Sequence, residues 1–251
     1  METIKLVTRA DDLGSAVSAN RATEDAARHG LLRNLSFLAV GPCLDDAVAR
    51  FRGRPDLCFG LHATVTCEWQ GGGWRPAAGA AAGGVCAPGG GFYPTPMPLH
   101  QAQVPAADVL REVAAQLAKL RATGLKVSYL DEHMGFGWLP GVQEGLADLA
   151  RREGLVYRPG LPGIGKTDMA SPAAAAASVA AALRALAPGE YVLILHPCYD
   201  DAETRAMKLV GDPAYDTGRD RDAQRSVYCA AEVAAAVAEK GIRLTRYDEL
   251  G

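Results

Sequence analysis

Ile4-Lys5-Leu6-Val7-Thr8-Arg9-Ala10-Asp11-Asp12-Leu13-Gly14 opens the chain with an apolar run and closes on two consecutive aspartates. The run over 4–7 reads as a strand. Beyond it, apolar strand-like runs alternate with amphipathic helical stretches, which favours an α/β architecture. Further strands are predicted over 35–40, 57–61, 127–130, 155–157, 191–195 and 242–245. Helices are predicted over 18–29, 45–52, 107–123, 140–153 and 223–240, with an alanine-rich one starting at Ser171-Pro172. Gly30, Gly124, Gly154 and Gly241 stand where helices need a left-handed closing residue, and Pro140 and Pro172 suit a first helical position. About seven β/α units predict a (β/α) barrel of about seven parallel strands, with an open doubly wound sheet as the alternative.

One stretch breaks the alternation. Over 66–105 the chain is rich in Gly, Ala and Pro, with Gly71-Gly72-Gly73 and Gly89-Gly90-Gly91. Trp69, Trp74, Phe92 and Tyr93 within it argue for an ordered insertion carrying a small hairpin, since long loops in compact domains are either functional or disordered. The 251 residues, 49% of them hydrophobic, are read as one catalytic domain with this insertion.

Composition excludes several classes. The 26 Lys+Arg against 29 Asp+Glu leave a net charge of -3, without the clustered basic face of a nucleic-acid protein. No apolar run approaches the roughly 18 residues of a membrane span, and the N-terminus has no secretory pattern, so a cytoplasmic location is expected. The six cysteines make no C-x-x-C pair and are expected to be reduced thiols.

Of the five histidines, His62, His133 and His196 directly follow strand runs or lie just past them, as the Asp11-Asp12 doublet follows the first. In parallel α/β folds the C-terminal strand ends gather at the face that carries the chemistry. Four strand ends therefore bring two carboxylates and three imidazoles to one rim. A strand-end histidine is most often structural, and an aspartate there often a turn former, but four coincidences on one face argue for a site. One carboxylate and two imidazoles suit a facial divalent-metal site, more readily zinc, manganese, iron or cobalt than magnesium. A second carboxylate can take a proton from water, and a remaining histidine can give one to a leaving group. Amide hydrolysis uses that inventory in full. An iron oxygenase would use two histidines and a carboxylate but not the additional pair.

Two motifs are decoys. Gly160-Leu161-Pro162-Gly163-Ile164-Gly165-Lys166-Thr167 matches the phosphate-loop pattern of nucleotide hydrolases, but its strand is short and the next helix starts too late to cradle phosphates. Cys198 beside His196 reads as a small buried thiol.

Thr8-Arg9-Ala10-Asp11-Asp12-Leu13-Gly14, Gly60-Leu61-His62-Ala63-Thr64, Leu130-Asp131-Glu132-His133-Met134-Gly135 and Leu195-His196-Pro197 together resemble the YdjC-like carbohydrate deacetylases, which are related to the NodB-type polysaccharide deacetylases. The resemblance implies a NodB-like barrel and metal-dependent release of acetate from an N-acetylated sugar or chitooligosaccharide. It implies Asp12, His62 and His133 as ligands of one divalent ion (Mg or Zn), Asp11 as general base and His196 as general acid. It also implies Arg158 at the substrate, orienting the base aspartate, and a homodimer acting on a small carbohydrate. Trp69 and Trp138 are placed to stack on sugar rings or else to plug the loops that bear them. A carbohydrate-binding barrel without catalysis is the competing reading.

Overall fold

The computed structural model describes residues 3–250. Seven parallel strands, β1 (Ile4–Leu13), β2 (Asn34–Phe37), β3 (Cys58–Ala63), β4 (Val127–Glu132), β5 (Val156–Tyr157), β6 (Gly189–Leu195) and β7 (Arg243–Thr245), form a curved half-barrel in the order β5-β4-β3-β2-β1-β6. β7 pairs with the first half of β1, on the flank that β2 occupies further along. β5 and β6 share no ladder. The extended chain after β5 spans the gap instead: Gly163 pairs with Val192, whose N–H donates to the Pro162 carbonyl at 2.9 Å. The segment 160–167 is thus barrel wall, and the next helix begins at Pro172, as the phosphate-loop reading could not allow.

Period-two alternation decides what faces inward. In β1, Leu6, Ala10 and Leu13 join the outer core beneath the helices, whereas Val7 joins an inner cluster with Cys58, Tyr129, Val192 and Tyr247. Tyr129 and Tyr247 stack at 4.2 Å and fill the floor of the barrel. Gly60 permits this, because a Cβ there would sit 2.3 Å from the Tyr129 ring. The outer helices are α1 (Val17–Arg28), α2 (Leu44–Phe51), α4 (Ala106–Ala122), α5 (Val142–Glu153), α6 (Pro172–Ala185), α8 (Thr217–Cys229) and α9 (Ala231–Glu239), with the short α3 (Pro96–Gln101) and α7 (Ala202–Ala206) in connecting segments.

Three expectations are corrected. β1 runs on through both aspartates to Leu13 instead of stopping near Val7, because its second half has β2 as a hydrogen-bonding neighbour. The helix expected over 223–240 is two helices: it begins earlier, where Asp216 caps α8 by accepting the Arg219 N–H, and breaks where Ala230 turns extended (φ -79, ψ 125). In place of the small hairpin expected within 66–105, the antiparallel pairing inside that stretch is a single bridge between Cys86 and Phe92 beside a 3-10 turn over Gly79–Val85. All six cysteines are free, and no helix among the described residues is long and apolar enough to cross a membrane.

Asn34 ties the strands together where β7 gives way to β2. Its buried amide donates to the carbonyls of Thr8 and Thr245, each at 3.0 Å, and accepts the Tyr247 N–H at 2.8 Å. Removing it strands three buried backbone groups. Asn34→Ala is expected to cost about 2–4 kcal/mol in urea unfolding; a loss below about 0.5 kcal/mol would show that water replaces the amide.

Candidate active site

Asp11 and Asp12 are consecutive, so a regular strand would send them to opposite faces. The register between β1 and β2 slips between Ala10 and Leu13, and Asp12 takes a left-handed backbone (φ 64). This bulge turns Asp12 into the barrel beside Asp11. A left-handed conformation costs a non-glycine residue energy and persists where the surroundings impose it. Here the turn is held by the Ser15 N–H on the Asp12 carbonyl and the Gly14 N–H on Asn20 Oδ1.

Asp12 Oδ1, His62 Nε2 and His133 Nδ1 form a triangle with edges of 3.4, 3.2 and 3.3 Å. Such edges fit three ligands at about 2.0–2.2 Å from one ion. Asp12 Oδ1 is buried and has no hydrogen-bond partner. Each imidazole has its other nitrogen on a carboxylate: His62 Nδ1 lies 2.8 Å from Asp131 Oδ1, and His133 Nε2 lies 2.8 Å from Glu68 Oε2. Carboxylate partners of this kind fix the tautomer of a metal-binding histidine and raise its basicity.

Charge supports the same reading. Asp11, Asp12, Glu68 and Asp131 are buried acids, faced by the guanidiniums of buried Arg9 and partly buried Arg221. Two negative charges are left over, which one divalent cation would balance. Without it, protons do so. Burial alone would push His62 down, but Asp131, Asp11 and Asp12 hold it well above the usual histidine value; likewise His133, against its burial, is raised to about 9 by Glu68 and Asp12. Burial would raise the Asp12 carboxyl, yet the close approach of His133, the charge of His196 and the approach of His62 hold it well below the carboxylate range. The chain's residues thus fit a divalent ion.

Asp11 is gripped by Arg9 through two hydrogen bonds, Nε to Oδ1 at 2.6 Å and Nη2 to Oδ2 at 2.8 Å. Arg9 Nη1 reaches Asp131 Oδ2 at 2.8 Å and the Tyr247 hydroxyl at 2.9 Å. Asp131 is further held by Ser36 Oγ at 2.7 Å, and Ser36 by the Tyr129 hydroxyl. On the opposite wall His196 follows β6, half-buried, with its pKa lowered by burial and by Arg221. Arg9, Asp11, Asp131, Tyr247 and His196 line an open cleft of about 560 Å³.

The cleft assembles Asp11, Asp12, His62, His133 and His196 at one rim, and two expected residues behave otherwise. Arg158 does not orient Asp11; it lies at the cleft edge and pairs with Glu190 at 2.9 Å, because Arg9 already takes both oxygens of Asp11. Trp69 offers no face to a sugar: it is 6% exposed, its backbone pairs with Leu209, and Arg221 lies over its ring. Trp138 stands at the mouth, half exposed, against His100 of α3. Its loop is braced by Glu132, which accepts from the Gly137 N–H and the Tyr157 hydroxyl. Arg9, Asp131 and Glu68 are the residues that strand-end reasoning missed. Arg9 and Asp131 carried a signal, standing two positions before Asp11 and His133 on the same strand faces. Glu68 carried none, since it comes from the irregular insertion.

The chain is a parallel α/β half-barrel that gathers a buried His-His-Asp cluster, a second aspartate and a third histidine at its strand ends. The chain belongs to the YdjC-like protein family, whose model matches residues 5–239. It is similar to the solved structure of a putative cellobiose-phosphate cleavage protein from Enterococcus faecalis V583, at 18% identity over 98% of both chains with a TM-score of 0.79. It is also similar to a polysaccharide deacetylase from Bacillus cereus, at 13% identity over 97% of this chain and 92% of that one, TM-score 0.53. These likenesses show a shared fold, that of the NodB-like deacetylase barrels.

Because protons stand in for the ion, titrating the protein with zinc near neutral pH is expected to release about two protons per ion. A proton competes with the ion at each imidazole, so apparent affinity should climb as pH rises through about 9, the value to which His133 is raised. Calorimetry in buffers of differing ionisation heat reads both; pH-independent binding would contradict the charge count. Glu68→Gln is expected to weaken zinc binding roughly 10- to 100-fold.

Proposed function

We propose that the chain is a metal-dependent deacetylase that hydrolyses the acetamide of an N-acetylated sugar or short oligosaccharide and releases acetate. The observation that carries this reading is the Asp12–His62–His133 triangle, flanked in one cleft by the Asp11 carboxyl that Arg9 grips and by His196 on the opposite wall. Asp12, His62 and His133 would hold the ion, which when bound supplies Lewis acidity for the amide oxygen and lowers the pKa of water. Asp11, with Oδ2 3.9 Å from His62 Nε2, is placed to take the proton from the attacking water. Arg9 keeps both its oxygens oriented while leaving lone pairs free. His196 faces the same space from β6 and gives a proton to the departing amine, so the nitrogen leaves as an amine and not as an amide anion. Trp138 offers an exposed aromatic face at the mouth for a sugar ring, and Arg158 a cation for its polar groups. The family and the deacetylase fold favour a carbohydrate substrate over other amides.

Acetate release from a panel of N-acetylated saccharides, with and without chelator, tests the proposal; no release from any, or release indifferent to chelator, would refute it. His62→Ala and His133→Ala are expected to lose both zinc and turnover. Asp11→Asn should keep zinc and slow turnover by roughly 10²- to 10⁴-fold. Sugar binding without acetate release, with an affinity that Asp11→Asn leaves unaltered, would favour the non-catalytic carbohydrate-binding reading.

A further inference from the structure

Gln224 on α8 stands between His196 and Asp220, and its amide is oriented from both ends. Its Nε2 lies 2.6 Å from Asp220 Oδ2, and its Oε1 accepts the backbone N–H of His196 at 2.8 Å. Turning the amide over would set a carboxylate against a carbonyl oxygen and two N–H groups against each other, so only one orientation is satisfied. Asp220 and Gln224 are four residues apart on one helix face, where such pairs meet. The same Oε1 lies 3.1 Å from His196 Nδ1. An oxygen that can only accept therefore faces that ring nitrogen.

We infer that Gln224, held by Asp220, is a positioning residue that locks neutral His196 with its hydrogen on Nδ1 and leaves Nε2 as the one nitrogen that gains and gives up the transferable proton. The inference rests on the reading of His196 as proton donor. With the hydrogen on Nε2 instead, Nδ1 would press a lone pair against Oε1, and the cleft would face an imidazole with no basic nitrogen. One half-buried amide thus decides whether the ring can be recharged between turnovers. The backbone contact adds a second constraint: Gln224 holds the start of the segment after β6 in place along with the ring, so tautomer and ring placement are set together.

Long-range proton–nitrogen spectra of the zinc-loaded full chain with 15N-labelled histidine read the tautomer directly, His196 being assigned by the signals missing in His196→Gln. The expected result is a pyrrole-like Nδ1 and a pyridine-like Nε2. Gln224→Leu should mix the tautomers and lower kcat roughly 10- to 100-fold, with KM and zinc content within about two-fold. The paired change Asp220→Asn with Gln224→Glu keeps an acceptor on Nδ1 and a donor behind it, and should restore both the spectrum and most of kcat. A pyridine-like Nδ1 in the unmodified protein, or Gln224→Leu with unchanged signals and kcat, would overturn the inference. The spectrum needs no turnover, so a failure to release acetate from any substrate would refute the hydrolase reading and leave the tautomer assignment decided on its own.

Discussion

The buried guanidinium of Arg9 is the constraint on which the rest of the site depends. It binds Asp11 with two of its nitrogens and Asp131 and Tyr247 with the third. Through Asp131 it sets the orientation of His62, and through Tyr247 it ties the last turn of the chain beneath the first strand. A buried ion cluster of this kind costs desolvation that its internal attractions do little more than offset, so its value lies in fixing one arrangement. Removing any member leaves its neighbours charged and unpaired.

The cleft is built in layers. Inward-facing positions of adjacent strands form tiers across a barrel interior. Tyr129 and Tyr247 make the apolar floor; Arg9, Ser36 and Asp131 form the tier above; Asp11, Asp12, His62, His133 and His196 form the rim. Each tier orients the one over it, and the tautomer of each rim histidine is set by a neighbour: Asp131 for His62, Glu68 for His133, Gln224 for His196. Left-handed backbone occurs at the rim at Met134, next to His133, and at Asp12, where the bulge brings a second carboxylate to a rim that a regular strand would supply with one.

Much of this was legible in the sequence, for physical reasons that can be named. Strand runs such as 191–195 are apolar on both faces, and helices such as 142–153 end at a glycine that takes φ 67, so the α/β alternation was plain. The rim residues were found because they follow apolar runs. The tier beneath was missed because Arg9 and Asp131 look like strand-end polar residues until period-two alternation is applied to them. Asp12 was found by position, but nothing in two adjacent aspartates announces a bulge. The break at Ala230 lies in a run of good helix formers, where only tertiary packing decides. Trp69 is turned away from the cleft because following a site strand in sequence does not fix which way a loop carries a side chain, and Arg158 lines the cleft without orienting Asp11 because Arg9 already holds that carboxyl.

Glu68 reaches His133 from an insertion that is otherwise the most irregular part of the chain, and the insertion is stitched there to residues 208–210, through Gln70 N–H on the Lys208 carbonyl and Val210 N–H on that of Glu68. Cradle and outer wall are consequently one mechanical unit. A chain built this way cannot trade that wall for a relative's as an interchangeable cassette: a graft of 66–105 would have to bring its own acceptor for the His133 ring, or that ring would be left without its anchor.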